Sequence, residues 1–181
     1  MRLFFIALLC FFIIGCKPIE KQDEIPSIDP NKKEIVFVTH NGPSTYYLDN
    51  EGQPTGIEYD LATLFVKEYY PGYEIRFLKV NSISDVIPSL LKGKAHIAAA
   101  NLSITNLRKN LVLFSTSYQE TQQQLIFNNE VNKKPKDIAA ITDKKISVPK
   151  GTSYAERLAE MQKKYPALKW HSKSQTNTES L

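Results

Sequence analysis

The sequence predicts an α/β fold built on a mostly parallel sheet. From residue 34 onward, short runs of β-branched and aromatic residues alternate with longer segments in which apolar residues recur every three or four positions. Turn-forming residues, such as Pro71-Gly72, separate these segments. Strands that alternate with helices are typical of parallel sheets covered by helices, which bind ligands beyond the carboxyl ends of their strands.

The first strand and the first helix lie between residues 34 and 70. Residues 34–39 form an uninterrupted run of strand-forming residues, so we expect a strand that is buried on both faces. Asn41-Gly42-Pro43 then interrupts the chain, and residues 59–70 predict an amphipathic helix. The apolar residues expected to pack this helix against the sheet are Leu61, Leu64, Phe65 and Tyr69.

A second strand and a second helix follow directly. Residues 73–78 predict the strand, and Ser82 with Asp85 three positions later predicts a capping box at the start of the helix. Pro88 should kink this helix or delay its start. A third strand follows, and we expect His96 at its start to be structural, because a lone histidine without partners is seldom a ligand.

A polar loop that carries one arginine follows the third strand. The small residues 98–100 allow a ligand to approach the backbone, and the hydroxyl groups of Ser103 and Thr105 can donate hydrogen bonds. The guanidinium of Arg108 can hold a carboxylate in two places. The loop therefore predicts a site for a small anion, with a solvated loop charge as the alternative interpretation.

A further strand and helix begin at Ile146. Residues 146–148 predict the strand, and Ser153 with Glu156 predicts a second capping box. A helix amino terminus suits a carboxylate because it offers N–H groups and partial positive charge, although alone it indicates only a helix start. Residues 165–170 predict another strand, and residues 176–181 the beginning of another helix.

Several of these segments together resemble family 3 of the bacterial extracellular solute-binding proteins. The matching residues occur in the family's order: Gly56-Ile57-Glu58-Tyr59-Asp60-Leu61-Ala62, Ile87-Pro88-Ser89-Leu90, Gly93-Lys94, Ser103-Ile104-Thr105, Arg108 and Phe114-Ser115. The resemblance implies an α/β fold of the periplasmic-binding-protein type II, with two lobes and mostly parallel sheets. It places lobe 1 at residues 34–118, a hinge crossing at 119–128 and an incomplete lobe 2 at 129–181.

The resemblance also implies a set of ligand-binding residues. Arg108 would hold the carboxylate of a small ligand, and the Gly151-Thr152-Ser153 motif would close on it from lobe 2. Many family members carry a Pro-Phe pair that covers the ligand, and Tyr46 or Tyr47 stands in that region here. The expected ligand-binding residues are Asn101, Ser103, Thr105, Arg108, Tyr46, Tyr47, Gly151, Thr152 and Ser153.

A narrower resemblance is to the amino-terminal domain of the membrane-bound lytic murein transglycosylases F. It rests on Gly42-Pro43, Tyr118 with Gln123-Gln124-Leu125-Ile126, Val148-Pro149-Lys150-Gly151, and Lys164-Tyr165-Pro166-Ala167-Leu168-Lys169-Trp170. Their catalytic glutamate lies in a separate downstream domain, which implies that this chain is a non-catalytic sensor of an amino acid or a peptidoglycan fragment. Glu58 and Asp60 are accordingly expected to be helix-start charges.

Two alternatives to this sensor remain open. One is the substrate-binding lipoprotein of an amino-acid ABC transporter, which would deliver its ligand to an ABC permease and would use the same site residues. The other is a truncated product that does not fold, because the pattern of strands and helices breaks off near Leu181.

The amino terminus resembles the leader of a bacterial lipoprotein. Arg2 precedes twelve apolar residues, Leu3 to Ile14, a run too short to span a membrane. The following Gly15-Cys16 resembles a lipobox, which implies a signal peptide at residues 1–15, a lipid on Cys16 and a tether at 16–33. We therefore expect a periplasmic protein anchored by lipid, to the outer membrane. An ordinary secretory leader with an incidental cysteine is the alternative.

Composition argues against several other functions. The formal net charge is +4 over 181 residues, and the lysine pairs are scattered, whereas a nucleic-acid surface needs a concentrated basic stripe with stacking aromatic residues. Cys10 would leave with the leader and Cys16 would carry lipid, so we expect no disulfide. Zinc-ligand spacing and a glycine-rich phosphate loop are both absent from the sequence, so we expect no metal and no cofactor.

Overall fold

The computed structural model of the chain describes residues 29–128, 130 and 134–174. The predicted leader, the proposed lipidation site Cys16 and most of the tether lie outside the described residues, as does the helix predicted after residue 175. The elements follow in this order: β1 Glu34–His40, β2 Tyr47–Leu48, β3 Pro54–Thr55, α1 Ile57–Tyr69, β4 Glu74–Val80, a 3-10 turn Ile83–Asp85, α2 Val86–Leu91, β5 Ile97–Ala98, α3 Asn106–Lys109, a 3-10 turn Ala139–Ile141, β6 Ile146–Pro149, α4 Ser153–Gln162 and β7 Trp170–Lys173.

Lobe 1 is built on a parallel sheet of three strands in the order β4-β1-β5. The central strand β1 is buried from Ile35 to Thr39, because it has a neighbour on each edge and a helix on each face. His96 holds the backbone of β1, since its Nδ1 accepts the N–H of Val36 at 2.9 Å. The predicted parallel sheet, the doubly buried first strand and the structural histidine are thus confirmed.

Two apolar clusters cover the two faces of this sheet. Alternate residues of β1 point to opposite faces, as in any strand. Val36 and Val38 pack with Leu78 and Val86 on the α2 side, and Ile35 and Phe37 pack with Ala62 and Val66 on the α1 side. The resulting lobe has three layers, with the sheet in the middle.

Helix α1 presents a different face to the sheet from the one predicted. Phe65 is partly buried as expected, but Leu64 is 61% exposed and Tyr69 is 69% exposed. The buried positions are Ala62 and Val66, with Glu58 one turn earlier. The face of α1 that is buried therefore carries smaller apolar side chains than the predicted one, and the count of large apolar residues indicated the wrong face.

The second helix begins late, as the proline predicted. A 3-10 turn precedes α2, and Pro88 occupies its first turn, where the missing N–H has no intrahelical acceptor to lose. The predicted capping box is wrong in detail. The Ser82 hydroxyl accepts the N–H of Ser84, not that of Asp85.

Lobe 2 contains the parallel pair β6 and β7 packed against α4. Its core is formed by Ile141, Ile146 and Leu168, which Leu158 and Met161 of α4 cover. The predicted strand and helix are confirmed, but the next strand starts at Trp170, not at residue 165. Residues 165–168 form a hydrogen-bonded turn that places Leu168 in the core.

The segment between the lobes is irregular. Residues 113–128 form no strand, although 122–127 have the sequence of one, and Ile126 is 92% exposed. A strand needs a partner to satisfy its backbone groups, and the part of the chain that the structure describes places none alongside. The hinge predicted at 119–128 therefore stays a prediction.

Candidate functional site

An open cavity of about 740 Å³ lies where the end of the lobe 1 sheet faces the start of α4. Lobe 1 contributes Asn101 to Thr105, and lobe 2 contributes Ser153 and Arg157. The segment from Phe114 to Gln123 closes a third side. The cavity thus lies between the two segments that the sequence marked as ligand-binding, and most of its lining residues carry a hydroxyl or amide group.

The cavity wall begins with a sharp turn at Asn101. This residue adopts a left-handed conformation with φ of 48°, which asparagine tolerates better than most residues. Its N–H donates to Glu58 Oε2 at 2.6 Å, and its side-chain Nδ2 donates to Ser44 Oγ at 3.2 Å. These bonds direct the following residues along the cavity.

Glu58, predicted to be a helix-start charge, is a buried carboxylate. It does lie in the first turn of α1, but only 8% of it is exposed. Besides the Asn101 N–H it accepts the Tyr118 hydroxyl at 2.8 Å. Burial raises the pKa of the Glu58 carboxyl, and these two hydrogen bonds oppose that shift. The apolar pattern of α1 could not reveal this burial, because it indicated a different face of the helix.

Tyr118 anchors the segment between the lobes to lobe 1. Burial, together with its hydrogen bond to the Glu58 carboxylate, raises the pKa of the Tyr118 hydroxyl, which therefore stays protonated as a donor. The bond ties the cavity wall at residues 114–123 to the same carboxylate that holds Asn101. Glu58 consequently positions two sides of the cavity.

The predicted arginine loop contains a helix of one turn that was not predicted from the sequence. In α3, Thr105 is the N-cap, and its Oγ1 accepts the N–H of Arg108 at 3.2 Å. Four residues are too few to show a helical periodicity, so the pattern alone could not reveal this helix. The helix directs the Arg108 side chain toward lobe 2.

Arg108 is buried, and groups of the chain itself occupy its guanidinium. Only 3% of the residue is exposed, and it does not line the cavity. Its Nε donates to Glu156 Oε1 at 2.8 Å, its Nη2 to the Gly151 carbonyl at 3.1 Å and its Nη1 to the Ser103 carbonyl at 3.3 Å. The Thr105 hydroxyl donates to the other oxygen of Glu156 at 2.6 Å. Glu156 of lobe 2 thus occupies the position expected for a ligand carboxylate.

This contact corrects the capping box predicted at Ser153 and Glu156. The N-cap of α4 is Thr152, and Ser153 is the first residue of the helix. Glu156 contacts lobe 1 instead of the backbone of its own helix. The sequence could not distinguish the two arrangements, because Arg108 is 48 positions away.

The three residues of the lobe 2 motif have separate contacts. The Gly151 carbonyl accepts from Arg108, and the Thr152 hydroxyl donates to the Pro149 carbonyl at 2.8 Å. Ser153 is the member that lines the cavity, where its Oγ donates to Ser103 Oγ at 3.1 Å and accepts from Gln123 Nε2 at 3.2 Å. These bonds join both lobes and the segment between them.

The structure does not bring the two predicted tyrosines to this cavity. The Tyr46 ring packs on the rings of Tyr59 and Phe77, with centroid distances of 5.7 and 5.4 Å. Tyr47 lies in β2 and is 38% exposed. The aromatic residues that do line the cavity are Phe114 and Tyr118.

Among residues 29–128, 130 and 134–174, His, Cys, Asp and Glu form no group of three that could hold a metal ion. The helices of the same ranges include none with the length and apolar character needed to cross a membrane.

Comparison with known proteins relates the fold to a family. The model of the bacterial extracellular solute-binding proteins, family 3, matches residues 35–174. The chain is 49% identical over 182 residues to a membrane-bound lytic murein transglycosylase F of Methylobacillus flagellatus, which covers all of this chain and 38% of that protein. It is 37% identical over 148 residues to the protein of that name from Nitrosospira multiformis, covering 82% of this chain and 30% of that one.

Solved structures give the same fold. A substrate-binding protein of an amino-acid ABC transporter from Streptococcus pneumoniae, bound to L-arginine, superposes with a TM-score of 0.61 at 26% identity, covering 81% of this chain and 59% of that one. An arginine-binding protein of T. maritima gives 0.64 at 23% identity, covering 79% and 61%. The predicted periplasmic-binding-protein fold is therefore confirmed, and the chain spans part of it.

Proposed function

The chain belongs to the bacterial extracellular solute-binding proteins, family 3, and on that premise we propose that it binds a small amino-acid-like ligand or a muropeptide in the cavity between its lobes. The observation that carries this proposal is the convergence of Asn101 to Thr105 with Ser153 on one cavity of about 740 Å³. A volume of this size is typical of sites for small molecules.

The polar wall of the cavity is suited to a ligand with several hydrogen-bonding groups. Asn101, Ser103 and Thr105 face the cavity from lobe 1, and Ser153 faces it from the first turn of α4. The first N–H groups of a helix lack intrahelical acceptors and favour an anion. In the proposed complex these groups bind the ligand's polar atoms, and Gly151 and Thr152 shape the start of α4. Arg108 binds the ligand's carboxylate once Glu156 has been displaced from it.

We further propose that the chain is the non-catalytic, amino-terminal part of a protein like lytic murein transglycosylase F. The supporting observation is the similarity to two proteins of that name, of which the chain spans 38% and 30%. In this proposal the cavity senses a peptidoglycan fragment, and a separate domain cleaves the glycan. The lipid on Cys16 holds the sensor in the periplasm, at the outer membrane. In this proposal the loop that carries Tyr46 and Tyr47 must move before these tyrosines can cover the ligand.

A second candidate is the substrate-binding lipoprotein of an amino-acid ABC transporter. The observation that favours it is the similarity to the Streptococcus pneumoniae transporter protein bound to L-arginine. The two candidates use the same cavity, and they differ in the partner: a catalytic domain in one and a permease in the other.

Calorimetric titration of the full chain tests the proposal. The probes are L-arginine, L-glutamine and a disaccharide tetrapeptide released from peptidoglycan. We expect saturable binding of at least one probe, and Ser103→Ala should weaken it about tenfold because one hydrogen bond to the ligand is lost. Ser147→Ala is the matched control, since Ser147 is exposed on β6 and outside the cavity.

Either of two results would contradict the proposal. One is the absence of saturable binding with all three probes. The other is an equal effect of the two serine substitutions, which would place binding outside this cavity. Tight binding of the tetrapeptide with weak binding of the free amino acids would favour the sensor, and the reverse order would favour the transport protein.

A further inference from the structure

We propose that Glu156 is a specificity-determining residue that competes with the ligand's carboxylate for Arg108. The inference rests on the function proposed above, because it concerns the ligand of the same cavity. A ligand that presents a carboxylate to Arg108 must displace Glu156, whereas a ligand without one need not. The chain thereby carries its own competitor for one class of ligand.

Arg108 already holds a carboxylate that belongs to the chain itself. A guanidinium holds a carboxylate through charge-assisted hydrogen bonds, and the Glu156 carboxylate accepts such a bond from Arg108 Nε at 2.8 Å. The Thr105 hydroxyl donates to the second oxygen at 2.6 Å. An amino acid's carboxylate is the same chemical group and could accept both bonds in place of Glu156.

Glu156 lies nearer to solvent than Arg108 does. Arg108 is 3% exposed at its side chain, but Glu156 is 19% exposed, so solvent reaches the acid and not the base. Thr105 both lines the cavity and donates to Glu156, which makes its hydroxyl the link between the cavity and the ion pair. Rotation of the Glu156 side chain toward solvent would expose two donors, Thr105 Oγ1 and Arg108 Nε, to the cavity.

The competition has a direct consequence for affinity. Glu156 is tethered beside Arg108, so its effective concentration there is high, and a free carboxylate must overcome that advantage. Ligands that bind through hydroxyl and amide groups alone leave the pair intact. Glu156 therefore lowers the affinity for ligands that need Arg108 and leaves the affinity for the others unchanged.

Rescue with a small carboxylate tests the competition directly. In Glu156→Ala the position beside Arg108 is vacant, and sodium acetate should fill it. We expect acetate at about ten times its dissociation constant to raise the melting temperature of Glu156→Ala by about 3 °C or more, because it binds the folded state. Acetamide at the same concentration, with ionic strength held constant by sodium chloride, should give no such shift.

Two control variants make this result specific. Glu160→Ala removes another acid from the same helix, one that pairs with Arg157 in solvent. Acetate should therefore not raise the melting temperature of this variant. Arg108→Met combined with Glu156→Ala removes the guanidinium, and acetate should not shift it either. Equal shifts of wild type, Glu156→Ala and Glu160→Ala would overturn the proposal.

A ligand titration with Glu156→Gln extends the test and keeps the shape of the side chain. We expect this variant to bind L-arginine about tenfold more tightly than wild type does, because the competing charge is gone. The affinity for L-argininamide, which lacks the carboxylate, should be unchanged. A variant that binds L-arginine no more tightly than wild type would overturn the inference while leaving the proposed function intact. If neither form binds any probe, the proposed function fails, and the acetate experiment still decides the competition.

Discussion

At the scale of single residues, buried charge organises the cavity. Glu58 and Arg108 are both less than a tenth exposed, and each has partners for its polar atoms. Among the described residues that are not exposed, every buried side-chain nitrogen or oxygen has a hydrogen-bond partner. Because an unpaired buried charge is costly, substitutions at these positions should have large and directional effects.

Glu58→Gln should remove a pH dependence of stability. Burial raises the pKa of Glu58 in the folded chain above the ordinary value of 4.5. Its stabilising contribution is therefore fully present below pH 4.5 and is lost as the pH rises through the raised pKa. The free energy of unfolding of wild type, relative to that of Glu58→Gln, should fall as the pH rises from 4 to 7, as measured by urea denaturation.

Glu34 provides an internal comparison of opposite sign. Its hydrogen bond from Arg76 lowers the pKa of the Glu34 carboxyl, so its contribution is present above pH 4.5 and is lost as the pH falls. Glu34 is present in both wild type and Glu58→Gln, so its contribution cancels when their free energies of unfolding are subtracted. A difference between wild type and Glu58→Gln that stays constant from pH 4 to 7 would contradict the assignment.

Gly151→Ala should disturb the contact between the lobes. A Cβ at Gly151 would lie 2.5 Å from Ser84 Cβ and 2.7 Å from Ser84 Cα, and φ is +74°. Gly72 has a similar φ of +84° with open space around it, so Gly72→Ala is a matched control that carries the backbone strain alone. We expect Gly72→Ala to cost about 1–2 kcal/mol in urea denaturation and Gly151→Ala to cost more. Equal losses of stability in the two variants would show that Ser84 can move away from the new Cβ without a loss of free energy.

At the scale of secondary-structure elements, periodicity predicted the elements with strong local patterns. Strands β1, β4 and β6 and helices α1 and α4 occur close to their predicted positions. Helix α3 was missed because its stability comes from the Thr105 cap and the contacts of Arg108 rather than from an apolar stripe. Residues 122–127 have the composition of a strand but form none, because strand formation depends on a partner that local sequence does not specify.

The buried face of α1 offers a test of the packing. Val66 is 5% exposed against the sheet, whereas Leu64 is 61% exposed on the same helix. Val66→Ala should lower the free energy of unfolding by about 1–3 kcal/mol, because it removes buried methyl groups and leaves a cavity. Leu64→Ala removes more carbon atoms and should change stability by less than about 0.5 kcal/mol. A larger loss of stability in Leu64→Ala than in Val66→Ala, measured by urea denaturation, would show that the face of α1 predicted from the sequence is the buried one.

The segments that form the candidate site were predictable from the sequence, but the pairings of its residues were not. The order of Ser103, Thr105 and Arg108, and of Gly151 to Ser153, indicated the two segments that meet at the cavity. The partners Glu58, Tyr118 and Glu156 were not predicted, since each contact joins residues more than 40 positions apart. Such pairings are set by the placement of whole elements.

At the scale of the whole molecule, the two lobes have separate apolar cores and meet through polar contacts. The clusters of lobe 1 lie on the two faces of its sheet, and the cluster of lobe 2 lies between β6 and α4. Hydrogen bonds of Ser103, Thr105 and Arg108 link them to lobe 2. Interfaces of this polar kind allow relative movement of the parts they join. Closure over a ligand would then alter these contacts and leave both cores intact.

A double-mutant cycle on Arg108 and Glu156 measures how strongly the lobes are coupled. Glu156→Gln leaves the buried Arg108 guanidinium poorly compensated and should be strongly destabilising. Arg108→Met should cost less, because the partly exposed Glu156 side chain can turn toward solvent. The double variant should be less destabilised than the sum of the two, with a coupling of about 1–3 kcal/mol in urea denaturation. The exposed pair of Arg157 and Glu160 on α4 is the control cycle, and its coupling should stay below about 0.5 kcal/mol because solvent screens it. Similar small couplings in both cycles would mean that the contact between Arg108 and Glu156 does not hold the lobes together.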